Sequence, residues 1–221
     1  MHDAQNTNSG GRYPGYDVLV KWSGPSWNDK TREVIARRLS IAPEPRFFTP
    51  DEYATVLAIA ERIIPQPVDR PPVPIAALVD RKLHDEAMDG YRAPGMPRDG
   101  EAWRLGLRAL DAEASAAHGK PFAALPEALQ DRLLRCAQSG ELKAPEWGAL
   151  RPDVFFKKRM GRDIVLAYYA HPTAWSEIGW GGPASPRGYV RLDFDERDPW
   201  EAAEAKDGNE AIARRSNRRV R

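Results

Sequence analysis

Side chains able to do chemistry are concentrated between Tyr168 and Arg191, YYAHPTAWSEIGWGGPASPRGYVR. His171 with Glu177, or with Asp163, has the composition of a base and an acid, and Ser176 and Ser185 are potential nucleophiles. A small stand-alone enzyme built on His171 and Glu177 is therefore one reading. The motifs that would support it are missing. Neither serine lies in a G-x-S-x-G elbow. Gly179-Trp180-Gly181-Gly182 lacks the G-x-G-x-x-G order and the Gly-Lys-Ser/Thr ending of a phosphate loop. No spacing in the chain makes His171 and Glu177 converge, and a histidine before a proline reads more simply as a hydrogen-bonded structural group. Cys136 is the single cysteine, which excludes an internal disulfide and any multi-cysteine zinc or iron–sulfur site. Its spacing with Leu129 and Leu133 makes it a small core residue of a helix.

The same stretch reads better as a surface. Pro172, Gly179, Gly181, Gly182, Pro183, Pro186 and Gly188 forbid a long regular element, yet Tyr168, Tyr169, Trp175, Ile178, Trp180 and Tyr189 are too many large apolar groups for a solvated linker. Those rings must be buried in the chain's own core or in another chain. Trp175 is expected to anchor the loop onto the helix ending at Tyr169. Trp180, set between glycines, has too few local neighbours to be buried by its own segment. With His171, Arg187, Tyr189 and Arg191 these residues form the expected partner interface, the arginines bonding Glu177 or a partner's carbonyls and carboxylates.

Composition bounds the alternatives. The 221 residues are 42% hydrophobic and 29% charged, as in a globular protein with a sizeable core. Lys+Arg 33 against Asp+Glu 32 leaves +1, which argues against a polyanion as main partner. A nucleic-acid-binding reading rests only on the basic end, Arg214, Arg215, Arg218, Arg219 and Arg221; a weak contact with an anionic surface and a solvated terminus are the two readings of it. No apolar run approaches the roughly 20 residues needed to cross a bilayer. The first residues, MHDAQNTNSGGRYPG, have no apolar centre or cleavage pattern, and no hydrophobic stretch follows Arg37-Arg38, so a cytoplasmic chain is expected.

The elements that position the loop are helices. Residues 1–15 read as a disordered arm. Over 16–46, Tyr16 to Trp22 reads as an extended segment laid over the surface, followed by a peripheral helix capped by Ser26 and running through Val34, Ile35 and Leu39. Residues 47–194 form a helical domain. Thr49-Pro50-Asp51-Glu52 is a capping box with proline at the first helical position, and Tyr53, Val56, Leu57, Ala60, Ile63 and Ile64 follow on one face until Pro65. Ile75, Leu78, Val79 and Leu83 mark a second helix. Trp103, Leu107, Leu110 and Ala114 mark a third, closed by Gly119; a fourth runs from Pro126 to Gly140. The last spans Pro152 to Tyr169 with Phe156, Met160, Ile164 and Tyr168 inward. Residues 195–221 are a charged tail. The expected fold is thus mostly α: about five helices, long proline- and glycine-rich loops, and extended terminal arms.

Three pieces of this chain occur in one order: Phe47-Phe48-Thr49-Pro50-Asp51-Glu52, then Ala60-Glu61-Arg62-Ile63-Ile64-Pro65, then Tyr168-Tyr169-Ala170-His171-Pro172 through Trp175, Gly179, Gly182-Pro183 and Pro186-Arg187-Gly188-Tyr189. Together they resemble the gluconate 2-dehydrogenase subunit 3 family over Phe47 to Arg191, with the Tyr16–Leu39 arm included. The resemblance implies a non-catalytic small subunit. Its partner would be an FAD-dependent large subunit of the glucose–methanol–choline type, oxidising sugars, sugar acids or alcohols, often with a cytochrome as electron acceptor. It implies no cofactor in this chain, FAD being held by the partner. Family members also escort the partner across the inner membrane with a twin-arginine signal. This chain departs from that pattern, so the complex is expected in the cytoplasm, or in the periplasm where the partner brings the signal.

Overall fold

The structure is a computed structural model, and it describes residues 11–68, 70–186, 188 and 197–220. Its regular elements are helical: a 3-10 helix Val18–Ser23, then α1 (Asp29–Leu39), α2 (Pro50–Ile63), α3 (Ile75–His84), α4 (Asp99–His118), α5 (Glu127–Ser139), α6 (Pro152–Phe155), a π-helical turn Phe156–Met160, α7 (Gly161–Tyr169), α8 (Pro172–Glu177) and α9 (Glu210–Asn217). No strand occurs among the described residues. The chain divides into two compact units. One comprises Ala42–Gln66 and Pro74–Tyr168; the other comprises Met1–Ile41, Pro67–Val73 and Tyr169–Arg221.

The central unit, Ala42–Gln66 with Pro74–Tyr168, starts where the capping box predicts. The Thr49 hydroxyl accepts from Glu52 N at 3.3 Å and the Glu52 carboxylate accepts from Thr49 N at 2.9 Å. Just upstream, the buried Asp80 carboxylate of α3 accepts from the backbone N–H groups of Arg46, Phe47 and Phe48 at 2.8, 3.0 and 2.9 Å. Three orphan donors on one carboxylate fix the entry of α2. The buried face of α2 carries Thr55, Val56, Ile59 and Ala60, with Leu57 exposed. This is one position off the expected stripe, because α2 packs against both α3 and the turn at Phe122 and its apolar residues allow either register. Gly119 and Gly140 close α4 and α5 in the left-handed region, at φ 69° and 78°.

The helix expected over Pro152–Tyr169 is present but interrupted by the π turn, whose wider ring lets Gly161 N–H donate back to Phe156 O. This turn carries Arg159, only 1% exposed and absent from the expected apolar face. Its Nη1 lies 3.3 Å from Asp163 Oδ2 and 3.2 Å from Asp89 Oδ2, and its Nη2 lies 2.7 Å from Asp99 Oδ1. The Asp99 contact lacks the alignment of a hydrogen bond and is held by charge alone. Asp163 also accepts from Lys82 Nζ at 2.9 Å and from the Trp103 indole N–H at 2.8 Å; Asp89 pairs with Lys82 and Arg162. Three cations thus face three carboxylates, which is how charge is tolerated in an interior.

The terminal unit, formed by Met1–Ile41, Pro67–Val73 and Tyr169–Arg221, has its own core of Tyr16, Val18, Trp27, Ile35, Trp175 and Val220. Tyr16 to Trp22 is not an extended surface segment. Asp17 accepts from Leu19 N at 2.9 Å, and the resulting 3-10 helix turns Val18 inward beside a fully buried Tyr16. Helix α1 is capped by Asn28, which accepts from Thr31 N at 2.9 Å, and not by Ser26, which is buried. The C-terminal stretch is likewise not a solvated tail: it forms α9, with Ala213, Asn217 and Val220 buried. The modest apolar content of both segments hid this, since each gives only two or three residues to a core shared with distant parts of the chain.

Candidate functional site

The candidate site belongs to the terminal unit and grows from the end of α7. Ala170 breaks the helix, and His171, in extended backbone, caps α8 with Pro172 at the first helical position. The His171 Nδ1 accepts from Thr173 N at 3.3 Å, which places the ring proton on Nε2. Burial, reinforced by the positive charges of Arg38 and Arg70, pushes the His171 pKa down to about 4. A neutral imidazole is what the cap requires, because a protonated Nδ1 could not accept. Glu177, at the other end of α8, forms an ion pair with Arg70 at 3.2 Å. His171 and Glu177 therefore each have a structural task, and Asp163 is part of the buried network of the central unit.

Trp175 is 1% exposed. Its indole N–H donates to Tyr169 O at 2.7 Å, tying α8 to the end of α7 as expected, and the Arg38 guanidinium lies over its ring at 5.5 Å. Arg38 itself donates to Ala170 O at 3.2 Å. Ser176, the candidate nucleophile, accepts from Val18 N at 3.1 Å and lies 3.4 Å from Pro172 O, so its hydroxyl fastens the 3-10 helix to α8.

The glycines after α8 serve close packing. Gly179 has φ 70°, and a Cβ there would lie 2.5 Å from the Tyr13 ring. Gly182, at φ 69°, would place a Cβ 3.3 Å from each of Trp175, Trp27 and Val18. Between them the backbone is held from several sides: Trp180 N donates to Trp175 O at 2.9 Å, Tyr16 OH donates to Trp180 O at 3.4 Å, and the buried Lys21 donates to Gly181 O at 3.0 Å. The Trp180 ring packs edge-on against Trp175 at 4.7 Å, yet 40% of the residue stays exposed. Tyr169, Ile178 and Val20 in the same unit are also exposed large apolar groups.

His171, Trp175 and Trp180 are thus brought into one short structure, with Trp180 the outward member. Arg187, Tyr189 and Arg191 lie outside the described residues. Sequence reasoning missed Lys21, Ser176 and Arg70 as the groups that hold this loop; Arg70 comes from a separate stretch, and nothing local points to it. Among the described residues, no group of three or more His, Cys, Asp or Glu is placed to hold a metal ion. No helix of the described residues is long and apolar enough to cross a membrane.

No curated protein and no solved structure matches this chain. A family model does: Gluconate 2-dehydrogenase subunit 3 matches residues 50–182, from the first residue of α2 to the glycine packed against Trp175. The match takes in the buried network of Arg159 and Asp163, the His171–Gly182 loop and the whole of α2, whose N-cap Thr49 lies just before it. It covers more than half of the 221 residues, and the chain therefore belongs to the gluconate 2-dehydrogenase subunit 3 family, whose description makes it a subunit of a gluconate 2-dehydrogenase-type complex.

Proposed function

We propose that this protein is a non-catalytic accessory subunit. It binds and stabilises an FAD-dependent large subunit of the glucose–methanol–choline type that oxidises sugars, sugar acids or alcohols. The flavin belongs to that partner, and a cytochrome accepts the electrons. The complex works in the cytoplasm, or in the periplasm where the flavoprotein brings the export signal. Membership of the family supports the reading. The observation that carries it on this chain is Trp180: an indole left 40% exposed on a backbone held by three hydrogen bonds. A rigid, half-exposed tryptophan loses little conformational freedom on docking, which is why this residue type dominates interface energetics.

Co-expression with a candidate flavoprotein followed by pull-down tests the reading. The flavoprotein should co-purify, and its melting temperature should rise with the concentration of this subunit, since a protein that binds only the folded form stabilises it by mass action. Trp180→Ala should weaken the complex by about 2 kcal/mol or more, roughly a thirtyfold rise in Kd. The same change should lower the isolated subunit's stability by less than about 1.5 kcal/mol, the scale of one aromatic edge contact. Recovery of no flavoprotein, or an isolated chain that oxidises sugars and polyols, would sink it.

A further inference from the structure

The C-terminal helix α9 is held in a defined rotation. Asn217, 1% exposed, donates from Nδ2 to Pro14 O at 2.9 Å and to Ala203 O at 3.0 Å, while its Oδ1 accepts from Ala203 N at 2.6 Å. Ala213 and Val220 are buried on the same side. The neighbouring stripe lies at the surface: Ile212, Arg215, Ser216 and Arg219, spaced i, i+3, i+4, i+7, with Ser216 half-buried and the others exposed. With Arg197 and Pro199 these are the described residues lining a hollow of about 410 Å³. Arg197 is anchored there, its Nη1 donating to the carbonyls of Asp198 and Glu201.

Three arginines from two separate segments thus line one concavity, and no described lining residue is acidic. Cations in the last turn of a helix are favoured by its dipole, which accounts for arginines on α9. The third arginine, Arg197, comes from outside the helix and is held by two backbone carbonyls, which satisfy its hydrogen bonds without cancelling its charge, so an anion in the hollow would relieve the repulsion among the three. The whole chain carries only +1, so the arginines around the hollow are not the mark of a generally basic chain.

We propose that this hollow receives an acidic peptide segment, with two or more closely spaced carboxylates beside an apolar side chain. Guanidinium forks match carboxylates in bidentate geometry. Ile212, 57% exposed, and Pro199 supply an apolar wall that a bare inorganic anion would leave uncovered. The concave shape suits an inserted side chain better than the flat face of a bilayer. The supplier of the segment is the dehydrogenase subunit; that identification rests on the accessory-subunit reading, whereas the recognition chemistry stands without it.

The test uses the full chain and a fluorescein-labelled acetyl-Leu-Glu-Asp-Glu-Leu amide, followed by anisotropy at low salt. Saturable binding is expected, weakening several-fold at about 0.3 M NaCl because exposed charge pairs are screened. Replacing two of the three lining arginines, Arg215→Ala/Arg219→Ala, should weaken binding by at least about tenfold with the melting temperature unchanged. Arg218→Ala is the decisive control, because it removes the same charge from the same helix but does not line the hollow. It should leave the affinity within about twofold of the parent. Equal losses from Arg218→Ala and from the lining arginines would reduce the effect to diffuse charge and overturn the proposal. So would binding of pyrophosphate or phosphatidylglycerol vesicles, dependent on Arg215 and Arg219, without binding of the peptide. In the assembled complex the double variant should raise the Kd, and the rise should shrink with salt. A complex formed equally well by the double variant overturns the dehydrogenase as supplier. Failure of the parent chain to form any complex counts against the accessory-subunit reading itself, and the peptide result is separate from it.

Discussion

His171 shows how one buried group sets a pH dependence. Its folded pKa of about 4 lies below the ordinary 6.5, so between those values the unfolded chain binds a proton that the folded chain does not. The contribution of His171 to stability is therefore complete above about pH 6.5 and is lost at up to about 1.4 kcal/mol per pH unit as pH drops towards 4. Replacing His171 with Asn, a strong N-cap that does not titrate, should flatten that limb while leaving stability near pH 7 almost unchanged; urea unfolding at a series of pH values reads both. Trp175 sets a second expectation. It fills the terminal unit's core and its indole N–H is bonded, so Trp175→Ala should destabilise the subunit by about 3–5 kcal/mol in denaturant titration. Its neighbour Trp180 should show the reverse pattern, small in stability and large in complex affinity. Equal losses of stability from both, with none in binding, would make the loop merely structural.

Among the elements, α4 shows a rule of local propensity being overridden. Gly106 lies inside a 20-residue helix, where alanine would ordinarily be favoured by about 1 kcal/mol. Here a Cβ would lie 2.3 Å from the Phe155 ring, which is itself wedged edge-on against Trp103 at 5.8 Å and tilted against Trp147 at 6.0 Å. Phe155 cannot yield without disturbing both tryptophans, and overpacking a core costs about 1–3 kcal/mol. The clash wins. Gly106→Ala should lower the melting temperature despite its better helix propensity, and near-ultraviolet circular dichroism should report the altered tryptophan environment. A higher melting temperature would mean that α4 and α6, which carries Phe155, move apart freely.

At the scale of the whole molecule, the buried charge network holds the central unit together. Asp163 joins Lys82 of α3, Trp103 of α4 and Arg159 of the π turn. Asp163→Ala would leave two cations short of a counter-charge and the indole N–H without its acceptor. Breaking one partner out of a buried set costs about 3–5 kcal/mol, a large share of the 5–15 kcal/mol that stabilises a domain. The expected outcome is a poorly folded or aggregating chain, read by expression yield and calorimetry. Full retention of the melting temperature would show that water, and not packing, surrounds Arg159.

Much of this was legible in contiguous residues. A capping box, a proline at a helix start and a left-handed glycine act within one turn, so Thr49–Glu52, Gly119 and Gly140 bound their helices where the sequence places them. The mostly helical class follows from the same local punctuation, and the family from the ordered motifs, of which the family match covers those within residues 50–182 and not the Pro183–Arg191 end. The inward Trp175 was readable too, because the helix ending at Tyr169 offers it an anchor; the half-exposed Trp180 was readable in part, since its one ring neighbour, Trp175, comes from its own segment. What the tertiary structure alone decided is every pairing between distant residues. Glu177 meets Arg70, Val18 N–H meets Ser176, Asn217 meets Pro14, and Arg159 meets three carboxylates. A charged or amide side chain has no period that announces its partner; only packing brings the two within hydrogen-bond reach and removes the water that would otherwise satisfy each alone.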